Sequence, residues 1–149
     1  GAGALAVVGH ARGAALLKAT SLCDPPLSVH GPLLGVLAAL EWGRELGADY
    51  VVTAPCDVPR LPRTFTSDIT AAARAQNASA AMAVAEGEIH PLCAAWSPSL
   101  APTLRAKLEA GEHPRAQSWV ESALQVTFED AAAFANVNTI AELARLKLT

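Results

Sequence analysis

Short apolar runs alternating with stretches of helical spacing constrain this chain more than any single residue does. Leu5-Ala6-Val7-Val8 and Tyr50-Val51-Val52-Thr53 each have the length of a buried strand, and turn-forming residues follow them. Between them Leu33, Val36, Leu37 and Leu40 recur at intervals of three and four, which is one face of a helix. This helix should start at Pro32, where a missing N–H costs nothing, and run to about Leu46, with Gly47 as its stop. Ala11 to Lys18 predicts a shorter helix, and Thr20 to His30 a loop around Asp24-Pro25-Pro26.

The rest of the chain continues the alternation. A helix is expected over Phe65 to Gln76, a strand over Ala80 to Ala85, a turn at Glu86-Gly87-Glu88 and a strand over Ile89 to Trp96. Pro91 pushes that last strand towards an edge or an irregular position. Ser97 should cap a helix running through Leu100, Leu104 and Leu108 to Gly111. A short helix over Gln117 to Ser122, a strand over Leu124 to Phe128 and a final helix over Ile140 to Leu148 follow. Asn138 or Thr139 is the expected cap of that last helix, with Glu142 near the capping-box position. Strands alternating with helices in this order predict an α/β domain, its sheet largely parallel and covered on both faces.

Composition agrees with one such domain. The 149 residues fit the prior of roughly 100–200 per domain. They are 52% hydrophobic but only 5% aromatic, so alanine-rich helices packed on a sheet suit them better than an aromatic sandwich. A net charge of −3 argues against a broad nucleic-acid surface. No run reaches the roughly 18 apolar residues that span a bilayer. No stretch reads as a signal peptide, so the expected location is the cytoplasm. Cys23, Cys56 and Cys93 are odd in number and widely spaced, which predicts neither a disulfide framework nor a zinc site.

The chemistry-bearing candidates lie after strands. Asp57 is the one acidic residue of Thr53-Ala-Pro-Cys-Asp57-Val-Pro-Arg-Leu-Pro62, and three prolines restrict the backbone around it. Locally it fits two roles, a turn cap for backbone N–H groups or a ligand for a metal ion. Asp24 before Pro25 fits a turn or a ligand contact. Gly31 and Pro32 open a helix whose free N–H groups suit an anion, although close helix–sheet packing explains small residues there equally well. His10 fits a ligand contact or a helix cap. Asn136 and Asn138 are good turn and cap residues, and His90 and Trp96 read as structural.

Taken together, these positions carry a resemblance. Asp24, Gly31-Pro32-Leu33-x-Gly35-Val36-Leu37, Val51-Val52-Thr53-x-Pro55-Cys56-Asp57-x-Pro59-x-Leu61-Pro62, His90-Pro91-Leu92 and Phe134-x-Asn136-Val137-Asn138-Thr139 occur in one order over almost the whole chain. The set resembles the molybdenum cofactor guanylyltransferases, within the wider nucleotidyltransferases that also make nucleotide sugars. The resemblance implies a Rossmann-like three-layer α/β/α sandwich with a mostly parallel sheet, of the nucleotide-diphospho-sugar transferase type. It implies transfer of GMP from GTP to molybdopterin, with Mg²⁺ as cofactor and pyrophosphate as leaving group. On this sequence Asp57 would hold the Mg²⁺, Asp24 would contact the guanine nucleotide, Gly31 and Pro32 would lie against that nucleotide, and Asn136 and Asn138 would lie on the molybdopterin side. It also implies transient docking to molybdoenzymes or other cofactor-biosynthesis proteins, and leaves room for a homo-oligomer.

One departure stands out. The family opens with a strand and a glycine-rich loop carrying Arg and Lys, which wraps the triphosphate. Gly1-Ala2-Gly3 is too short for that loop and leads straight into what matches the family's second strand. The expectation is therefore a single nucleotidyltransferase domain lacking its first strand, loop and first helix, weak or inactive as it stands, with an unpaired groove in the sheet. A cytidylyltransferase or sugar-phosphate nucleotidyltransferase on the same fold is an alternative expectation, and so is a non-catalytic molybdopterin-binding relative.

Overall fold

A computed structural model describes residues 3–146. In chain order the elements are β1 (Ala6–Val8), α1 (Ala11–Leu17), β2 (Thr20–Leu22), α2 (Pro32–Glu45), β3 (Val51–Thr53), α3 (Phe65–Ala75), β4 (Ala80–Ala85), β5 (Glu88–Trp96), α4 (Ala101–Glu109), β6 (Leu124–Thr127) and α5 (Ile140–Arg145). A 3₁₀ turn over Pro98–Leu100 leads into α4, and another over Ala131–Phe134 follows β6.

The strands form two sheets. β1 and β2 are a parallel pair, and the larger sheet has the order β3-β5-β4-β6. β5 is antiparallel to both β3 and β4, while β4 is parallel to β6. Three of the four strands therefore run one way and only β5 is reversed. The reversal follows from the tight turn at Glu86-Gly87, where both residues have positive φ (49° and 80°). That backbone matches the twist of a hairpin and places β5 directly beside β4.

Period-two alternation sorts the two central strands onto two cores. Ala80, Met82, Ala94 and Trp96 face a cluster with α2 and α4, where Leu37, Leu40 and Leu104 are fully buried. Ala81, Ala83, Ala85, Cys93 and Ala95 face the opposite cluster with Phe65, Ile69 and Ala73 of α3 and with Phe134. Alanine on this second face lets α3 lie close to the sheet, and helix, sheet and helix make three layers. Arg105 of α4 grips Glu41 of α2 with two parallel bonds, Nε to Oε1 at 2.6 Å and Nη2 to Oε2 at 2.9 Å, which joins the two helices of one layer.

Several local expectations change. The predicted loop at Thr20 to His30 contains β2, a strand of three residues whose pairing with β1 is set by tertiary contact rather than by any alternation of its own. Gln117 to Ser122 forms turns instead of a helix, and Trp119 within it stacks on Trp96 with ring centroids 5.6 Å apart. Six residues that bury one large ring gain more from packing than a single helical turn would supply. β5 is an interior strand, not an edge. Pro91 sits where the register with β4 jumps, with His90 opposite Ala83 and Ala94 opposite Met82, so its missing N–H falls in the irregular stretch. α5 ends at Arg145, and the predicted extension to Leu148 reaches residues outside the described ones. Its capping box is formed by Thr139 and Glu142.

Candidate functional site

The predicted site residues follow the C-terminal ends of strands, the usual position of ligands in open α/β sheets. Asp57 follows β3, Asp24 follows β2, and Asn136 and Asn138 follow β6.

Asp57 and Asn136 come together. Asn136 Nδ2 donates to Asp57 Oδ2 at 3.2 Å, and the Val137 N–H donates to the Asp57 carbonyl at 2.7 Å. The loop after β3 and the loop after β6 are thus tied by one side-chain and one backbone bond. Pro55 turns the first loop, accepting from the Val58 N–H at 3.3 Å, and Val58 is buried beneath it. The second loop is pinned on both sides. Phe134 is buried against Phe65, Phe128 and the ring of His90, with centroids 4.9–6.1 Å apart. On the other side Glu142 accepts from the N–H groups of Asn138 and Thr139 at 2.8 and 3.1 Å. His90 thus takes the structural place the sequence predicts, its ring tilted against Phe134. Near it, a small surface pocket is lined by Glu86, Glu88, His90, Phe134 and Asn136.

The charge of Asp57 reaches into the core. The Cys93 thiol on β5 is pushed up to about 11, first by its own burial and then by the nearby Asp57 carboxylate. Asp57 itself is half-buried, and among the described residues no three His, Cys, Asp or Glu side chains gather as a metal cage. A lone, fixed carboxylate fits a hard cation such as Mg²⁺, which keeps several waters and takes phosphate oxygens as its other ligands.

Asp24, Gly31, Pro32 and Gly35 form a second group at the start of α2. A Cβ at Gly35 would lie 3.7 Å from Asp24 Oδ1 and 3.6 Å from Val8 Cγ1, ordinary contact distances, so the Asp24 loop and β1 pack closely on this part of the helix. Gly31 has φ of 130°, which side-chain-bearing residues rarely adopt, and it caps α2 without any side-chain bond. In the first turn of α2, Pro32 has no N–H and the Leu34 N–H donates to the Gly31 carbonyl at 3.3 Å, which leaves the Leu33 N–H to meet an anion. His10 is a cap: its Nδ1 accepts from the Gly13 N–H at 2.8 Å. Asn138 offers its backbone to Glu142.

Pro32 and Gly35 of the second group line a groove of about 920 Å³ between β1 and β3, and Cys56, the residue before Asp57, lines it too. Leu5 to Val8 and Tyr50 to Thr53 form its long sides. Gly35, Val36, Ala39 and Gly43 of α2 line it, as do Phe65, Thr66 and Thr70 of α3, and Pro32, Pro55 and Cys56 lie on its rim. Each long side is a strand paired on one side only among the described residues, so the groove has the form of a place for one more strand.

One site element escaped the sequence reading. The Thr53 hydroxyl donates to the Leu92 carbonyl at 2.8 Å and accepts from Trp96 Nε1 at 2.9 Å, which locks the end of β3 to the irregular part of β5 just ahead of Asp57. A hydroxyl ending an apolar run was the available signal, but its partners are about forty residues away in the chain.

Comparison with known proteins adds three findings. The description "MobA-like NTP transferase domain" matches residues 1–127. The molybdenum cofactor guanylyltransferase of Cereibacter sphaeroides (strain ATCC 17029 / ATH 2.4.9) is 39% identical over 117 residues, covering 77% of this chain and 58% of that protein. The protein of the same name from Burkholderia vietnamiensis (strain G4 / LMG 22486) is 39% identical over 130 residues, covering 83% and 62%. The chain thus spans 58% and 62% of the length of these two relatives. Among solved structures, molybdopterin-guanine dinucleotide biosynthesis protein A from Archaeoglobus fulgidus superposes with a TM-score of 0.69 at 20% identity, over 94% of this chain and 75% of that one. That likeness concerns the fold.

Proposed function

This chain belongs to the MobA-like NTP transferase domain family, and on that premise we propose that its protein transfers GMP from GTP to molybdopterin, giving the guanine dinucleotide cofactor and pyrophosphate in the cytoplasm. The observation that carries the reading is the fixed carboxylate of Asp57, held from two sides by Asn136 and Val137 beside the groove.

In this reaction a terminal phosphate oxygen of molybdopterin attacks the α-phosphorus of GTP, and the bond from that phosphorus to the α–β bridging oxygen breaks. The nucleophile is already anionic, so the protein need supply no general base; its work is positioning and charge. Bound Mg²⁺, held by Asp57, supplies neutralisation of the charge on the phosphates. Asp24 and the α2 start with Gly31 and Pro32 bind the nucleotide, and the Leu33 N–H there suits its anionic part. Asn136 and Asn138 serve the molybdopterin side, where a neutral amide adds no repulsive charge. The proposal includes a further strand with a glycine-rich loop and helix to complete the domain, which the open groove between β1 and β3 supports. It also includes docking to proteins that receive the cofactor.

The test is GMP transfer from GTP to molybdopterin by the full protein with Mg²⁺. Asp57→Ala should lower the rate by roughly 100-fold or more, as loss of a group that organises transition-state charge does. Unchanged activity in that variant rejects the metal role. Preferential binding of CTP over GTP would move the reading to a cytidylyltransferase on the same fold.

A further inference from the structure

We propose that Asn136 is a positioning residue for Asp57, orienting the carboxylate that holds the metal; the proposal rests on that reading of Asp57. A carboxylate can only accept, so the amide edge facing Asp57 Oδ2 at 3.2 Å is the NH₂. The pair are 79 residues apart, so no local turn explains the contact. The Val137 N–H on the Asp57 carbonyl fixes the backbone of both loops, and the amide then selects the rotamer of the side chain.

The choice of an amide has a physical reason. Lysine or arginine at this place would pair with Asp57 and oppose a cation electrostatically. An amide donates one bond and leaves the carboxylate its full negative charge. It engages Oδ2, which leaves Oδ1 available to a cation. The stretch that carries Asn136 is anchored ahead by buried Phe134 and behind by the Thr139–Glu142 capping box, so the donor is held in place before any ligand arrives.

This role separates experimentally from a direct contact with molybdopterin. In the full protein, Mn²⁺ titrations followed by paramagnetic broadening of the amide signals around Asp57 report metal binding without turnover. Asn136→Ala and the near-isosteric Asn136→Leu should each weaken Mn²⁺ binding roughly 10-fold, the usual scale for removing a partner of a metal ligand. They should also raise the Mg²⁺ concentration needed for half-maximal rate by a similar factor. A raised KM for molybdopterin with unchanged Mn²⁺ binding overturns the proposal. So does unfolding of the variants, because an exposed positioning residue leaves the fold standing. Asp57→Asn distinguishes the two levels. If it abolishes Mn²⁺ broadening and the Asn136 variants do not, only the positioning role fails; if Asp57→Asn leaves the broadening intact, the metal reading fails and the positioning role with it.

Discussion

At the scale of residues, Cys93 converts the neighbourhood of Asp57 into a pH effect. Its thiol is pushed from 9.0 up to about 11, by burial first and by the Asp57 charge second. The native protein therefore holds the thiol proton more tightly than the unfolded chain does. The contribution to stability is complete below pH 9 and is lost as the pH climbs to about 11. A difference of this size corresponds to at most about 3 kcal/mol. Urea midpoints measured from pH 7 upward should stay level to about 9 and then fall, and Cys93→Ala should flatten that fall. An identical slope in the variant would show that other groups drive it. Cys23 and Cys56, both exposed, should react with a thiol reagent in the native state while Cys93 does not.

At the scale of elements, the contact of α2 with β3 depends on one missing side chain. Gly43 is buried in the last turn of α2, where glycine costs up to roughly 1 kcal/mol of helix stability relative to alanine. A Cβ there would run into Val51 Cγ2, with Pro98 Cγ at 3.3 Å behind it. Gly43→Ala should therefore destabilise the protein by about 1–3 kcal/mol despite its better helix propensity. Chemical denaturation measures this directly, and a stabilised variant would mean that β3 can move away from α2. The same elements show how far periodicity reaches. The spacing of Leu33, Val36, Leu37 and Leu40 predicts α2 to within a residue or two, and Gly47 with φ of 66° ends it as expected. Ala80–Ala85 was legible as a strand, and so was its pairing with β5 across the tight turn at Glu86-Gly87. Its other neighbour, β6, was not, because that parallel pairing depends on a helical crossover, which acts at a distance.

For the whole molecule, the groove between β1 and β3 is the dominant feature. Strand edges that leave N–H and C=O groups unpaired are open to pairing with another strand. A protein that carries a further strand there should protect the Val51–Thr53 amides from hydrogen exchange and should unfold at a higher denaturant concentration than the 149-residue chain. Equal protection in the two would mean that the groove is filled in some other way. No described helix is long and apolar enough to cross a membrane.

The sequence by itself determined the layered α/β class, the helix of α2, the central strands and the set of residues that follow strand ends. Those features rest on local periodicity and turn chemistry, which act over a few residues. It also singled out Asp57, Asp24, Gly31, Pro32, Asn136 and Asn138 individually. Only the tertiary structure decided that Asn136 and Val137 grip Asp57, that Asp24 lies over Gly35, that Thr53 bridges Leu92 and Trp96, and that β5 sits inside the sheet. Each of these joins segments far apart in the chain. Hydrogen-bond partners and strand order depend on how the packed layers bring such segments together, and no local pattern encodes that distance.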